Sequence, residues 1–144
     1  MAKVEGLSDK YCSKSAGIIA SYGDPASDNS IQVLRDTWNL DINGHIATRV
    51  SLSDVEEAYL ILTMTKAHLS TIVYLFPQFA QKMYTLRQYT ADSLIEVGDS
   101  EDINLDISDP YGMSLETYKS CASEIKTHVD KVVIKLMKAD NTLK

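Results

Sequence analysis

The chain has 144 residues, 44% of them apolar, with 14 Lys and Arg against 20 Asp and Glu, a net charge of −6. That length fits a single domain, residues 1–144, able to bury a core, and the negative charge argues against a nucleic-acid partner. No stretch approaches the ~18 consecutive apolar residues of a membrane helix, and the opening Met1-Ala2-Lys3-Val4-Glu5-Gly6 reads as no signal peptide, so a cytoplasmic protein without a membrane partner is expected. Cys12 and Cys121 stand far apart, with neither disulfide nor metal spacing, which suits a reducing compartment. No cofactor and no metal are expected.

In chain order, Lys10 to Ala16 reads as a short strand ending at Gly17. Pro25 then opens a helix through Ile31, Val33, Leu34 and Trp38. Asp41 to Gly44 reads as a turn, and Ser53 three residues ahead of Glu56 reads as the capping box of a short helix. Tyr59-Leu60-Ile61-Leu62-Thr63-Met64 is nearly unbroken in apolar character, as in a parallel strand covered on both faces. Thr65 caps the next helix, whose Leu69, Ile72, Val73 and Phe76 recur at helical spacing until Pro77 stops it. Lys82 to Leu86 is the next strand. Between Asp92 and Asp109 lie seven acidic residues and no basic one. Without those seven, 13 of the 20 acidic residues remain against 14 basic ones, so the net acidity belongs to one loop. From Ser114 onward, Leu115, Tyr118, Ala122, Ile125, Val129, Val132 and Leu136 trace a long amphipathic helix. The order predicts an α/β fold, an open, mostly parallel sheet with helices on both faces.

The segment that bears on chemistry is Asp106-Ile107-Ser108-Asp109-Pro110-Tyr111-Gly112. Proline fixes φ and glycine permits a tight bend, so Asp109 sits on a stiff turn. A carboxyl group held rigidly in an acidic, partly buried loop can act as a general acid. On spacing alone, an ordinary Asp-Pro turn ahead of a helix is the commoner use of such a segment.

Several segments taken together shift that balance. Ser15-Ala16-Gly17-Ile18, Gly44-His45-Ile46-Ala47, Ile61 to Thr65 with His68, Tyr84-Thr85-Leu86-Arg87-Gln88-Tyr89, and Asp106 to Gly112 with Tyr118 follow in this order. The series resembles the low-molecular-weight protein tyrosine phosphatase family, from about Met1 to Val133, and most nearly its bacterial protein-arginine phosphatase branch. The resemblance implies that Asp109 is the general acid, protonating the leaving group and later activating water on a phosphocysteine. It implies that Tyr111 walls the substrate pocket and that His45 is a buried histidine bracing the phosphate loop. Taken alone, His45 is as often a satisfied turn or core histidine. His68 reads as solvated or capping, and Arg49 and Arg87 as surface residues.

Family members carry a first strand running into a loop in which a Cys is followed by five residues and an Arg. Loop amides and the Arg fork surround the phosphoryl oxygens, and the same dipoles stabilise the thiolate. Here the residue six positions after Cys12 is Ile18 and after Cys121 is Thr127. Met1-Ala2-Lys3 resembles the step that follows that loop in relatives. The chain is therefore expected to lack the first strand and the phosphate loop, to be inert as it stands, and to self-associate through exposed sheet edges. The alternative is a non-catalytic phosphatase-like module for binding or assembly. An arsenate reductase of the same fold would need further cysteines for its disulfide. Calcium binding at Asp102, Asn104 and Asp106 meets Ile107 where a glycine is needed and Met113 where the bidentate Glu belongs.

Overall fold

A computed structural model of the protein describes residues 11–91 and 104–142. Met1 to Lys10 and most of the acidic loop, including the Asp102 of the calcium reading, lie outside the described residues. The elements run α1 (Asp28–Trp38), α2 (Leu52–Glu57), β1 (Ile61–Thr63), α3 (Lys66–Leu75), a 3-10 helix (Pro77–Lys82), β2 (Met83–Thr85), α4 (Leu86–Thr90) and α5 (Leu115–Thr142).

β1 and β2 pair in parallel, Ile61 against Met83, Leu62 against Tyr84 and Thr63 against Thr85. Alternation along β1 sends its side chains to two separate apolar clusters. Ile61 joins Val55 of α2, Ile72 of α3 and Met83 on one face. Leu60 and Leu62 join Leu86, Ile107 and the α5 residues Ile125, Val132 and Leu136 on the other. The sheet is therefore sandwiched by helices, as the α/β reading requires, and both strands are shorter than expected.

Four local expectations give way to others. Residues 11–16 form no strand. A strand needs a neighbour for its amides, and here the chain manages one parallel bridge, with Gly17 N–H on Thr48 O at 2.8 Å and Val50 N–H on Gly17 O at 3.1 Å. The first helix begins at Asp28 because Pro25 is taken up in a bridge to Ile46 and the Ser27 side chain accepts from Ser30 N–H. The capping box of α2 is Ser51 with Asp54, not Ser53 with Glu56: Ser51 N–H meets Asp54 Oδ2 at 2.9 Å and Asp54 N–H meets Ser51 Oγ at 3.2 Å. On α5, Val129 is 44% exposed. The inward stripe instead passes through His128, whose Nδ1 lies 2.6 Å from Thr90 Oγ1 of α4.

Other signals form as written. Thr65 caps α3 by accepting from His68 N–H at 3.1 Å, and Pro77 follows its end by opening the 3-10 helix. Ser114 caps α5, accepting from Thr117 N–H at 3.3 Å.

Candidate active site

The segment 104–113 crosses the end of the sheet where β1 gives way to α3, and it is tied to three elements in turn. Arg87 of α4 donates from Nη1 to Asn104 O at 2.9 Å and from Nε to Glu124 Oε1 of α5 at 2.8 Å, its Nη2 completing the ion pair. Asp106 Oδ1 accepts from Lys66 N–H at 2.7 Å, supplying an anion to the first turn of α3 where amides lack partners. Ile107 donates its N–H to Met64 O at 2.9 Å and buries its side chain in the α5-side cluster. The Cys121 thiol of α5 then lies 3.3 Å from Ser108 O.

What these anchors hold is a double turn. Asp109 Oδ1 accepts from Tyr111 N–H at 3.0 Å, and Met113 N–H closes back on Pro110 O at 2.9 Å. Gly112 has φ +74°, a conformation that glycine adopts without strain, at the third position of this second turn. Asn29 of α1 reaches across to Met113 O at 3.5 Å. The result is an exposed Asp109 with Oδ1 engaged by backbone, two residues from a Tyr111 that is 81% exposed.

Neither cysteine supplies a ready nucleophile in this arrangement. Burial pushes the Cys121 pKa up, and the charges of Glu124 and Asp109 add to the shift, which disfavours a thiolate. Cys12 is exposed on the segment without regular structure. Among the described residues, no group of three or more His, Cys, Asp and Glu could hold a metal ion, and no helix is long and apolar enough to cross a membrane.

Residues 1–142 match the family model described as low molecular weight phosphotyrosine protein phosphatase. The chain belongs to this phosphatase family. It is 29% identical over 123 residues to a protein-arginine-phosphatase of Geobacillus stearothermophilus, covering 85% of this chain and 75% of that protein. It is 27% identical over 138 residues to the protein-arginine-phosphatase of Bacillus subtilis, covering 96% and 83%. A crystal structure of a low molecular weight protein tyrosine phosphatase from T. tengcongensis superposes with TM-score 0.74 at 34% identity, over 85% of this chain and 76% of that one. A structure of an arginine phosphatase from Geobacillus stearothermophilus gives TM-score 0.77 at 29% identity, over 90% and 76%.

Within this phosphatase chain, Asp109 and Tyr111 share one turn. His45 stands apart on the loop before α2, where its N–H closes a turn on Ile42 O at 2.9 Å. Its side chain is exposed, whereas the resemblance implied burial. His68 is exposed on α3. Arg49 is a surface residue as expected, but Arg87 is not: its side chain is 29% exposed and fixes the start of the Asp109 segment. Asp106 and Cys121 were also missed as anchors of that segment. Only Asp106 left a sequence signal, an acidic residue three positions ahead of the Asp-Pro turn.

Proposed function

We propose that this chain carries the leaving-group side of a phosphatase site. Asp109 donates a proton to the departing atom, Tyr111 walls the substrate pocket, and His45 braces the phosphate loop of a completed site by hydrogen bonding. The substrate class of that completed form is a phosphorylated protein, phosphoarginine ahead of phosphotyrosine, cleaved through a phosphocysteine. The names of the relatives, which include enzymes of both kinds, support this order through the two protein-arginine-phosphatases. Such a protein is expected to act in the cytoplasm as one domain, residues 1–144, with no nucleic-acid or membrane partner.

The observation that carries the reading is the Asp109 turn, an exposed carboxylate on a clamped segment. The same chain holds no Cys-x5-Arg sequence, and the thiol nearest Asp109 has its pKa raised. A proton donor without a thiolate and its anion cradle has nothing to form the phosphoenzyme, so the 144-residue chain is inert by itself. The test is hydrolysis of p-nitrophenyl phosphate by the purified chain and by a version extended at its N-terminus with a strand and Cys-x5-Arg-Ser loop. The expected result is no turnover by the first and vanadate-sensitive turnover by the second. Hydrolysis by the unextended chain, lost on mutation of one of its own side chains, would overturn this reading.

A second reading, a non-catalytic phosphatase-like module, is favoured by the edge of β1 along which no described strand lies. On either reading, self-association through that edge is proposed.

A further inference from the structure

α4 and α5 are joined by two polar rungs one turn apart. In the first, Arg87 donates from Nε to Glu124 Oε1 at 2.8 Å, with Nη2 on the same oxygen. In the second, Thr90 Oγ1 lies 2.6 Å from His128 Nδ1. Thr90 is buried, and its Oγ1 also lies 2.8 Å from Leu86 O. A hydroxyl has one proton to give. Giving it to the carbonyl four residues back, as threonines in helices do, leaves Oγ1 to accept from an Nδ1–H. That arrangement pairs all three groups and puts the free lone pair of neutral His128 on Nε2. His128 can therefore take up a proton without giving up Thr90.

The charges around His128 decide what that proton does. Among the described residues, Glu124 stands one turn before it on α5, Lys131 one turn after, and Arg87 faces it from α4. Burial lowers the His128 pKa, Glu124 works against the shift, and Arg87 and Lys131 add to it. At neutral pH the ring is therefore uncharged, and the cation on Glu124 is Arg87. Other charged groups against α5 are engaged elsewhere. Asp36 of α1 lies beside Glu116 and Lys119, more than two turns from His128. Lys135 is held on Tyr89 O and Ala91 O and over the Tyr89 ring. In segment 104–113, Asp106 caps α3 and Asp109 lies by Cys121.

We propose that His128 is a positioning residue that makes the hold on the Asp109 segment depend on pH. Once charged, it competes with Arg87 for the Glu124 carboxylate, since a Glu and a cation four residues later attract on a helix, and it repels the guanidinium. What Arg87 loses, the segment loses. Arg87 Nη1 holds Asn104 O at 2.9 Å, and Asn104 Oδ1 accepts from Asp106 N–H at 3.0 Å. Asp106 and Ile107 then tie the chain to Lys66 N–H and Met64 O, just ahead of Asp109. A folded-state histidine value below the unfolded one of about 6.5 fixes the sign. The tight form is fully present above that pH and is lost as pH falls from there through the folded value. This inference deepens the proton-donor reading, because the segment that loosens is the one carrying Asp109.

The experiment is an NMR titration of the 144-residue chain from about pH 8 down to about pH 5, the span in which histidine titrates. It follows the His128 ring and the Asp106 and Ile107 amides. The expected result is that both amide shifts move with the His128 midpoint, which lies below the ordinary histidine value. His128→Asn keeps a side-chain N–H for Thr90 Oγ1 and removes the titration. It should fold as the wild type does at the upper end of the range, and its two amides should lose the step. A step that belonged to His45 or His68 would survive in this variant. In Glu124→Gln the His128 midpoint should fall further, because the carboxylate that favours the charged ring is gone, and the amides should again show no step. Amides that stay still while His128 titrates overturn the proposal, as does a step retained in His128→Asn. If His128→Asn does not fold, the wild-type titration and Glu124→Gln decide alone. None of these readouts needs turnover, so failure here is distinct from failure of the proton-donor reading, which the hydrolysis test decides.

Discussion

Asp109, the proposed proton donor, shows how little of a side chain's placement depends on the side chain itself. Its Oδ1 accepts one backbone N–H, and the segment is held by Arg87, Asp106, Ile107 and Cys121 on its N-terminal side. Asp109→Asn keeps an oxygen for Tyr111 N–H, so stability should stay within about 0.5 kcal/mol, the usual range for a surface change. In the N-terminally extended protein the same substitution removes the transferable proton, and turnover should fall about 10²–10⁴-fold. Thermal denaturation and kcat measure the two; a large loss of stability with no loss of rate would contradict the assignment. Asp54 gives a prediction in pH. Its hydrogen bonds to the Lys14 ammonium and then to Ser51 hold its carboxyl down at about 2. A folded-state value below the unfolded one of about 3.9 means stability that is fully present above pH 4. That contribution is lost as pH falls through about 2. Titration of the Asp54 carboxyl followed by NMR should have its midpoint near that value, and Lys14→Met should move it upward.

At the scale of elements, what the sequence revealed depends on whether the deciding interaction was local. Thr65 caps α3 through a hydroxyl three residues from its donor, and such spacing is visible in a string of letters. Ser51-x-x-Asp54 and Ser53-x-x-Glu56 are equally good strings. The choice between them fell to where the chain leaves the Gly17 bridge at Val50, a contact 33 residues distant. Ser51→Ala should therefore cost about 1 kcal/mol, whereas Ser53→Ala should be nearly neutral. Urea denaturation of the two variants separates them, and the reverse order would reinstate the other box. The strand expected at residues 10–16 is absent over its described part, residues 11–16, for the same reason in stronger form: a strand exists only beside another, and no pattern of its own letters supplies one. In the candidate site, the turn that carries Asp109 and Tyr111 was legible because Pro110 and Gly112 belong to it. Arg87 was not, because nothing in Leu-Arg-Gln says that Glu124 and Asn104 O will meet it. With the ion pair half-buried, Glu124→Gln should cost about 1–3 kcal/mol. It should also speed amide exchange at Asp106 and Ile107, which hydrogen exchange would detect; unchanged protection there would mean the clamp does not hold the segment.

At the scale of the molecule, the two apolar clusters lie on opposite faces of a sheet that has, among the described residues, two strands of three residues each. Among the described residues no strand lies along the outer edge of β1, and covering such an edge is a direct route to further burial. If a second copy provides the cover, association and folding become one equilibrium, and stability depends on protein concentration by mass action. For a dimer that unfolds to two chains, a tenfold rise in concentration is worth about 1.4 kcal/mol per dimer, or about 0.7 kcal/mol per chain. For a chain of this length, that should raise Tm by about 2–4 °C per decade of concentration. A monomer would show no such shift. Met64→Lys separates the sources of any shift seen: its Tm should be nearly independent of concentration, and it should match the wild type only at high dilution. A concentration-dependent Tm that Met64→Lys leaves intact would assign the association to another surface.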